Sequence, residues 1–280
     1  MCNHTQQLTT KQELSGREFD DKRQRDERTW VRSIKSLFAQ QKRSLLNAVK
    51  ETSSPISILD EIPKYINTSD TRKLYKELYT KQGQKYYNGT IRALKKNSPY
   101  RFNLKEIVNE DDLYWLQMSE FVDNEVASRI ISVTDTSQEV ARKAINEAVT
   151  TGVNEGQSIP QIKAAINASV NQEWRITTAF RPELIARTES LTMANYASFI
   201  GAESLGEDLD KVWLAFIDGR TRTAHRNEPE GVGGQVAPMQ GAFIVDGEQM
   251  RYPGDTWGSA KNVCNCRCTI IYQTKDERNY

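Results

Sequence analysis

Residues 193–218 read MANYASFIGAESLGEDLDKVWLAFID, and the fold class turns on the change inside them. Upstream, the pattern is helical: the segment from Pro182, a residue suited to a first turn, carries apolar side chains at helical spacing until Gly206 closes it. Beyond Asp210 the pattern becomes strand-like, with β-branched and aromatic residues in KVWLAFID. Further on, GAFIVDGEQMRYPGD predicts a short strand, an Asp246-Gly247 turn and a second strand ended by Pro253. CTIIYQ supplies another strand, and NEPEGVGGQVAPMQG between them reads as a loop rich in Gly and Pro. Reading backwards, SIPQIKAAINASV starts a helix with Ser158, Pro160 and Gln161, and TDTSQEVARKAINEAVTTGVNEG opens with Thr136 three residues ahead of Glu139, a capping-box pattern. Helices first and a small, largely antiparallel sheet after them make an α+β unit over residues 136–280.

The first half has a different texture. Residues 1–15 are polar and aperiodic and read as a disordered tail, leaving 16–135 as a helical region. REFDDKRQRDERTW mixes both charges in the manner of a solvated helix, and Val31, Ile34, Phe38, Leu45 and Val49 then mark an amphipathic helix in need of a partner. Pro55 disfavours its continuation. A long helix is expected in DDLYWLQMSEFVDNEVASRIIS.

Residues 71–105 hold ten Lys/Arg against the single acid Glu77, interleaved with Tyr75, Tyr79, Tyr86, Tyr87 and Tyr100. Cations for phosphate and rings for stacking are what nucleic-acid binding uses, and Lys85, Arg92, Lys95, Lys96 and Arg101 are the candidate contacts. The same stretch also fits a helix whose leucines face a core while its lysines are solvated.

Globally the chain is balanced, with 38 Lys+Arg against 37 Asp+Glu over 280 residues, which excludes a polycation or polyanion. No run of about 18 apolar residues exists, so no membrane-spanning helix is expected. The polar start lacks the apolar core of a signal peptide, and four cysteines, three of them in CNCRC, do not read as a disulfide framework.

The chemistry-bearing residues concentrate in three places. Glu189 shares a helix face with Ile185, Met193 and Tyr196, a largely buried setting in which a carboxylate needs a partner. The nearest supply in sequence is Arg220, Arg222 or His225, while Asp218 is placed to accept from Arg222 or from turn amides. A polar clasp joining helix to sheet and an acid–base pair of Glu189 and His225 both fit. The cysteines Cys264, Cys266 and Cys268 invite zinc with His225. Residues two apart on a strand sit about 6.6 Å apart, whereas thiolates sharing a zinc lie roughly 3.8 Å apart. Two of the three cysteines with His225, completed by Asp218 or the third, is the expected set; packed thiols without metal are the alternative.

Four ordered blocks, ELIARTESLTMANYASF, VWLAFIDGRTRTAH, FIVDGEQMRYPGD and NVCNCRC, resemble the C-terminal domain of the Mu F-like phage minor head (head morphogenesis) proteins. The resemblance covers roughly residues 136–280, and GVNEGQSIPQIKAAINASV resembles the helices preceding it in that family. The motif positions are Arg187, Thr188, Glu189, Asp218, Arg220, Arg222, His225, Cys266 and Cys268. RNEPEGVGGQ departs from the family's shorter Gly turn, and Cys264 has no clear counterpart. The resemblance implies a low-copy virion protein with no enzymatic activity, made in the host cytoplasm and placed inside the head near the portal vertex. Its implied roles are head assembly and DNA packaging or ejection. The implied partners are the portal protein, the major capsid or scaffold protein, and packaged double-stranded DNA. A nucleic-acid-binding module and a nuclease- or transferase-like toxin using Glu189, Arg222 and His225 are the rival readings.

Overall fold

The computed structural model describes residues 10–97, 110–206, 208–227 and 230–274. In chain order the elements are α1 Thr10–Glu51, α2 Ile58–Tyr65, α3 Thr68–Asn97, α4 Glu110–Asn124, α5 Ala127–Asn154, α6 Ile159–Thr177, α7 Arg181–Glu203, β1 Leu209–Leu214, β2 Val236–Pro238, β3 Phe243–Val245, β4 Glu248–Met250, α8 Ala260–Val263 and β5 Thr269–Thr274. The architecture is α+β. It divides into two compact units, one from Met1–Thr29, Leu78–Glu120 and Leu184–Tyr280, the other from Trp30–Glu77 and Phe121–Glu183. Both α1 and α3 give residues to each unit.

In the second unit the α1 stripe is covered: Ile34, Leu37, Phe38, Leu45, Leu46 and Val49 are buried. The amphipathic helix therefore finds its partner within this chain. Trp30 meets Tyr75 edge-on at 5.4 Å, Thr134 on α5 donates to Thr71 at 3.0 Å, and Arg72 and Lys76 both bond Asp123.

Two helix boundaries differ from the sequence reading. The long helix expected over DDLYWLQMSEFVDNEVASRIIS is interrupted after Asn124 and restarts at Ala127. Conversely α5 runs unbroken through residues 135 and 136, where a new segment was expected to begin. Thr136 is no cap: its hydroxyl donates back to Ser132 O at 2.7 Å, and Ser137 does the same to Val133 O at 3.1 Å. Hydroxyls bonded to the i−4 carbonyl sit inside a helix rather than at its start. Ser158 and Gln161 do cap α6, with Gln161 Oε1 accepting the Ser158 amide at 2.8 Å. The tail expected over residues 1–15 is partly outside the described residues, and the backbone is helical from Thr10.

The first unit is organised around α7. From Thr188 to Ala202 every residue except Tyr196 is buried, so this helix is core on nearly all faces. Thr192 and Asn195 bind the sheet side: Thr192 donates to Gly254 O at 2.8 Å, Asn195 donates to Pro253 O at 2.9 Å and to Cys268 O at 3.2 Å, and Thr269 donates to Asn195 Oδ1 at 2.8 Å. The three-stranded sheet has the order β2-β1-β5, all antiparallel, with Trp213 opposite Ile270. Strand β2 lies in the segment read from sequence as loop. The β3-β4 hairpin turns at Asp246-Gly247, both at positive φ (49° and 81°), as a two-residue turn of the primed kind requires. Lys211 on β1 is buried, donating to Gly241 O at 2.7 Å and Arg251 O at 2.9 Å, and lies over the Phe199 and Phe243 rings.

Helix α7 also approaches α3 closely. A Cβ on Gly201 would stand 2.8 Å from the backbone oxygen of Tyr87, a contact with no flexible atom to yield. Gly201→Ala is expected to destabilise by about 1–3 kcal/mol, the range for overpacking, measured as a shift of the urea midpoint. Parental stability in this variant would show that the two helices can separate.

The basic stretch of α3 resolves into interior and surface. Tyr75, Tyr79, Tyr86 and Tyr87 are at most 2% exposed, so none of these rings can stack on bases. Tyr86 donates to Asp26 at 2.6 Å, and Lys85 pairs with the same carboxylate. Arg92 and Lys96 are exposed and Lys95 is half-buried. Tyr100 and Arg101 lie outside the described residues.

Candidate functional site

The site is built after β1. The chain leaves the strand through Phe216 and Ile217 into a turn that Asp218 organises: its Oδ1 accepts the Arg220 amide at 2.8 Å and the Thr221 hydroxyl at 3.2 Å. The Thr221 hydroxyl in turn accepts the Asp218 amide at 2.9 Å. The other oxygen of Asp218 takes Arg220 Nη2 at 3.3 Å and the guanidinium of Arg267. Donation from the Arg220 amide, followed by the nearby Arg267 charge, holds this carboxyl below its ordinary range.

A short 3-10 turn, Thr223–His225, then aims His225 inward. The Gly-rich segment after it folds back tightly, since a Cβ on Gly231 would stand 2.1 Å from Arg226 O. That is a reason for glycine in the stretch that departs from the family pattern. His225 is buried, packed edge-on against Trp213 at 5.7 Å.

The cysteines do not lie on a strand. Cys264 follows α8, Asn265 takes positive φ (59°), and β5 begins only at Thr269. The left-handed residue turns the chain, so the strand spacing no longer applies. Cys266 and Cys268 are buried, and Cys268 donates its amide to Cys266 Sγ at 3.4 Å. His225 Nδ1 stands 3.5 Å from Cys266 Sγ and 3.7 Å from Cys268 Sγ.

Those two distances bear on metal binding. With Zn–N of about 2.0–2.1 Å and Zn–S of about 2.3 Å at a tetrahedral angle, the N···S edge is about 3.6 Å. The three ligand atoms all lie within 4.8 Å of one another. Hydrogen bonding from Cys266, with His225 adding to it, holds the Cys268 thiol well below the ordinary thiol range, and the same bond with burial pushes Cys266 up. Two thiolates this close repel each other, and a divalent cation would let both sulfurs ionise. His225 Nε2 is buried without a partner among the described residues, which leaves the sulfurs as the ring's polar neighbours. The donor set therefore fits a Cys₂His centre.

Cys264 is not in that set. It is half-buried, and its carbonyl accepts Arg222 Nη2 at 2.6 Å. Asp218 is occupied with two arginines. Among the described residues no fourth protein ligand joins the three. Above them opens a cleft of about 300 Å³ lined by Arg187, Arg220, Arg222 and Arg267 together with Phe216, Asp218, Asn265 and the His-Cys-Cys group.

Of the residues expected to meet, Arg187, Asp218, Arg220, Arg222, His225, Cys266 and Cys268 line this one cleft. Glu189 does not. Its Oε2 accepts the hydroxyl of Tyr79 at 2.6 Å, while Arg220, Arg222 and His225 bond elsewhere. The clasp of Glu189 onto the segment after β1, and the acid–base pair of Glu189 with His225, are both corrected by this geometry. The helical offset between Arg187 and Glu189 is the reason: one faces the cleft and the other the interior.

Sequence reasoning missed Arg267, whose guanidinium holds Asp218 and lies 5.9 Å from the Phe216 ring centre. It also missed a buried ionic chain from α1. Arg23 bonds Asp20 and Glu27, and Glu27 bonds Arg187, which reaches Asn265 at 3.3 Å. REFDDKRQRDERTW is thus no wholly solvated helix. A signal was present: Asp20, Arg23 and Glu27 continue backwards, at alternating steps of three and four, the stripe of Trp30, Ile34 and Leu37.

The family described as Phage Mu protein F like protein matches residues 143–271. A protein of Enterococcus faecalis named NAD(+)--arginine ADP-ribosyltransferase EFV is 26% identical over 217 residues, covering 77% of this chain and 42% of that protein. Minor head protein GP7 of Bacillus phage SPP1 is 29% identical over 128 residues, covering 45% of this chain and 38% of that protein. The chain thus spans about two-fifths of the length of these curated relatives. No solved structure matches it. Residues 143–271, which contain the four cleft arginines, His225, Cys266 and Cys268, are the stretch that is similar to the Phage Mu protein F like family.

Proposed function

We propose that this chain is a minor structural protein of a phage head, acting near the portal vertex in head assembly and in DNA packaging or ejection. We further propose that His225, Cys266 and Cys268 hold a zinc ion which fixes the segment after β1 to the segment before β5. The ion's contribution is a set of metal–ligand bonds linking positions 41 and more residues apart. The observation that carries a structural rather than catalytic role is the placement of the acids. Glu189 is bonded to Tyr79 away from the cleft, and Asp218, the one carboxylate on the cleft wall, is engaged by Arg220 and Arg267. Among the described residues, nothing in the wall is left to serve as a general base beside the ligand set. The name of the Enterococcus relative describes a protein of which this chain spans 42%, and the cleft supplies no reason to transfer that activity.

Docking on a portal or capsid protein must use surfaces other than the α1 stripe, which is covered. Arg92 and Lys96 remain available for the phosphates of packaged DNA, as charges without a stacking ring. Virion localisation follows from this reading. The test is quantitative mass spectrometry of purified heads. The chain is expected at copy numbers far below the major capsid protein, and its absence from heads, or presence at capsid stoichiometry, would overturn the proposal.

A further inference from the structure

We infer that the arginine-lined cleft above His225, Cys266 and Cys268 is a binding site for a phosphate-type oxyanion. Charge is the first argument. Among the described residues the wall carries Arg187, Arg220, Arg222 and Arg267 against one carboxylate, Asp218, and Glu27 offsets Arg187 from outside the wall. Two guanidinium charges remain in excess. A zinc ion with two thiolates beneath them would be neutral and would leave that excess unchanged. A phosphate dianion neutralises it, whereas a single carboxylate meets only half.

Donor inventory is the second argument. A guanidinium offers five N–H donors, yet Arg222 spends one on Cys264 O and meets no carboxylate among the described residues. Pre-organisation is the third. Arg222 is fixed by that carbonyl, Arg187 by Glu27 and Asn265, and Arg267 by Asp218 and the Phe216 ring. Side chains already held in place lose little freedom on binding, and planar forks suit phosphate oxygens. The cleft's volume of about 300 Å³ exceeds that of a bare phosphate, so the group it takes is part of a larger molecule, a phosphate ester. The inference rests on the arginines and does not require the metal.

The experiment is isothermal titration of the full chain with inorganic phosphate at low ionic strength, with zinc content measured in every sample. Binding is expected with a dissociation constant below about 1 mM, and sodium acetate should bind at least about ten-fold more weakly, the factor for losing one good charge-assisted bond. Arg222→Gln is expected to weaken phosphate binding by about ten-fold or more. Arg220→Gln, at a side chain 73% exposed that the fold does not need, should also weaken it, by a smaller factor. Short duplexes with and without a 5′-phosphate identify the source: a preference for the phosphorylated end assigns the site to terminal phosphates, and equal binding assigns it to the backbone. No binding of phosphate up to about 10 mM, well above the affinity expected of such a site, would overturn the inference. So would equal affinity in the parent and both variants, or acetate binding as tightly as phosphate. Loss of phosphate binding on stripping zinc from a folded chain would contradict the independence from metal while leaving the zinc proposal standing.

Discussion

Arg23→Ala is expected to lower the unfolding free energy by about 3–5 kcal/mol, the range for breaking a buried ion pair by removing one partner. The guanidinium is 1% exposed. Its Nε and Nη2 donate to Asp20 Oδ1 at 3.0 and 2.6 Å, and its Nη1 donates to Glu27 Oε2 at 2.9 Å. Removing it leaves two carboxylates without the cation between them, and one of them, Asp20, is buried. Glu27 keeps Arg187, but among the described residues Asp20 keeps only Gln24 as a side-chain partner. Because a domain's whole stability is about 5–15 kcal/mol, the variant should unfold at much lower urea concentration or fail to accumulate. Arg25→Ala, two residues away on the exposed face of α1, is the matched control and should change stability by less than about 0.5 kcal/mol. An Arg23→Ala variant within that same margin would show that the ionic chain contributes nothing net. Replacing Arg23 by methionine together with Asp20→Leu separates the two components: recovery of stability would assign the loss to stranded carboxylates rather than to lost attraction.

How far the sequence carries towards this structure depends on the range of the interaction concerned. Local devices were legible. Ser158 with Gln161 starts α6, Gly206 at positive φ (64°) lies just past the end of α7, and Asp246-Gly247 turns the hairpin, because each is settled within a few residues by backbone sterics and hydrogen bonding. Thr136 misled because a hydroxyl three residues before a Glu has two uses. It can cap a helix or bond the i−4 carbonyl inside one, and packing of the surrounding residues decides. The cysteine segment misled for a related reason. Alternating Cys-x-Cys reads as a strand, but Asn265 can adopt the left-handed conformation and here it does. Strand β2 is three residues long and paired only to β1, too short for any periodicity to register.

Long-range pairings were the least legible. Glu189 finds Tyr79, 110 positions earlier, whereas proximity in sequence favoured the arginines after β1. Cations and phenols can both donate to a buried carboxylate, so residue type alone cannot choose between them. Of the candidate site, the chemistry was nonetheless within reach. His225 with two of the three cysteines was the expected set, Cys264 standing among the candidates, and the cleft arginines Arg187, Arg220 and Arg222 were picked out by the family motif. Arg267 was not legible because its partner, Asp218, lies 49 positions earlier and no local pattern links the two.

Removal of zinc is expected to have the second large effect. The purified chain should carry about one zinc, and a chelator should lower its melting temperature together with the stability of the unit that contains the sheet. A ligand bound only to the folded state stabilises by RT ln(1 + [L]/Kd), about 4 kcal/mol when free metal is a thousand times its dissociation constant. That is comparable with the whole margin of a small domain. The three ligands come from two segments, the turn at His225 and the turn at Cys266–Cys268, which share only the contacts described above. Without an ion they present two buried sulfurs beside a buried imidazole, and the two segments are joined there by Arg222 on Cys264 O and Arg267 on Asp218 alone among the polar contacts described above. His225→Ala and Cys266→Ser should therefore each abolish zinc retention and reproduce the chelator's effect. Cys264→Ser should do neither, because that cysteine serves through its carbonyl, which accepts Arg222. This contrast distinguishes a Cys₂His centre from one using all three cysteines. Zinc lost equally from all three variants would place Cys264 among the ligands. A chain that holds no metal after refolding with zinc, and melts at one temperature with or without chelator, would leave the thiols as core side chains and end the metal proposal.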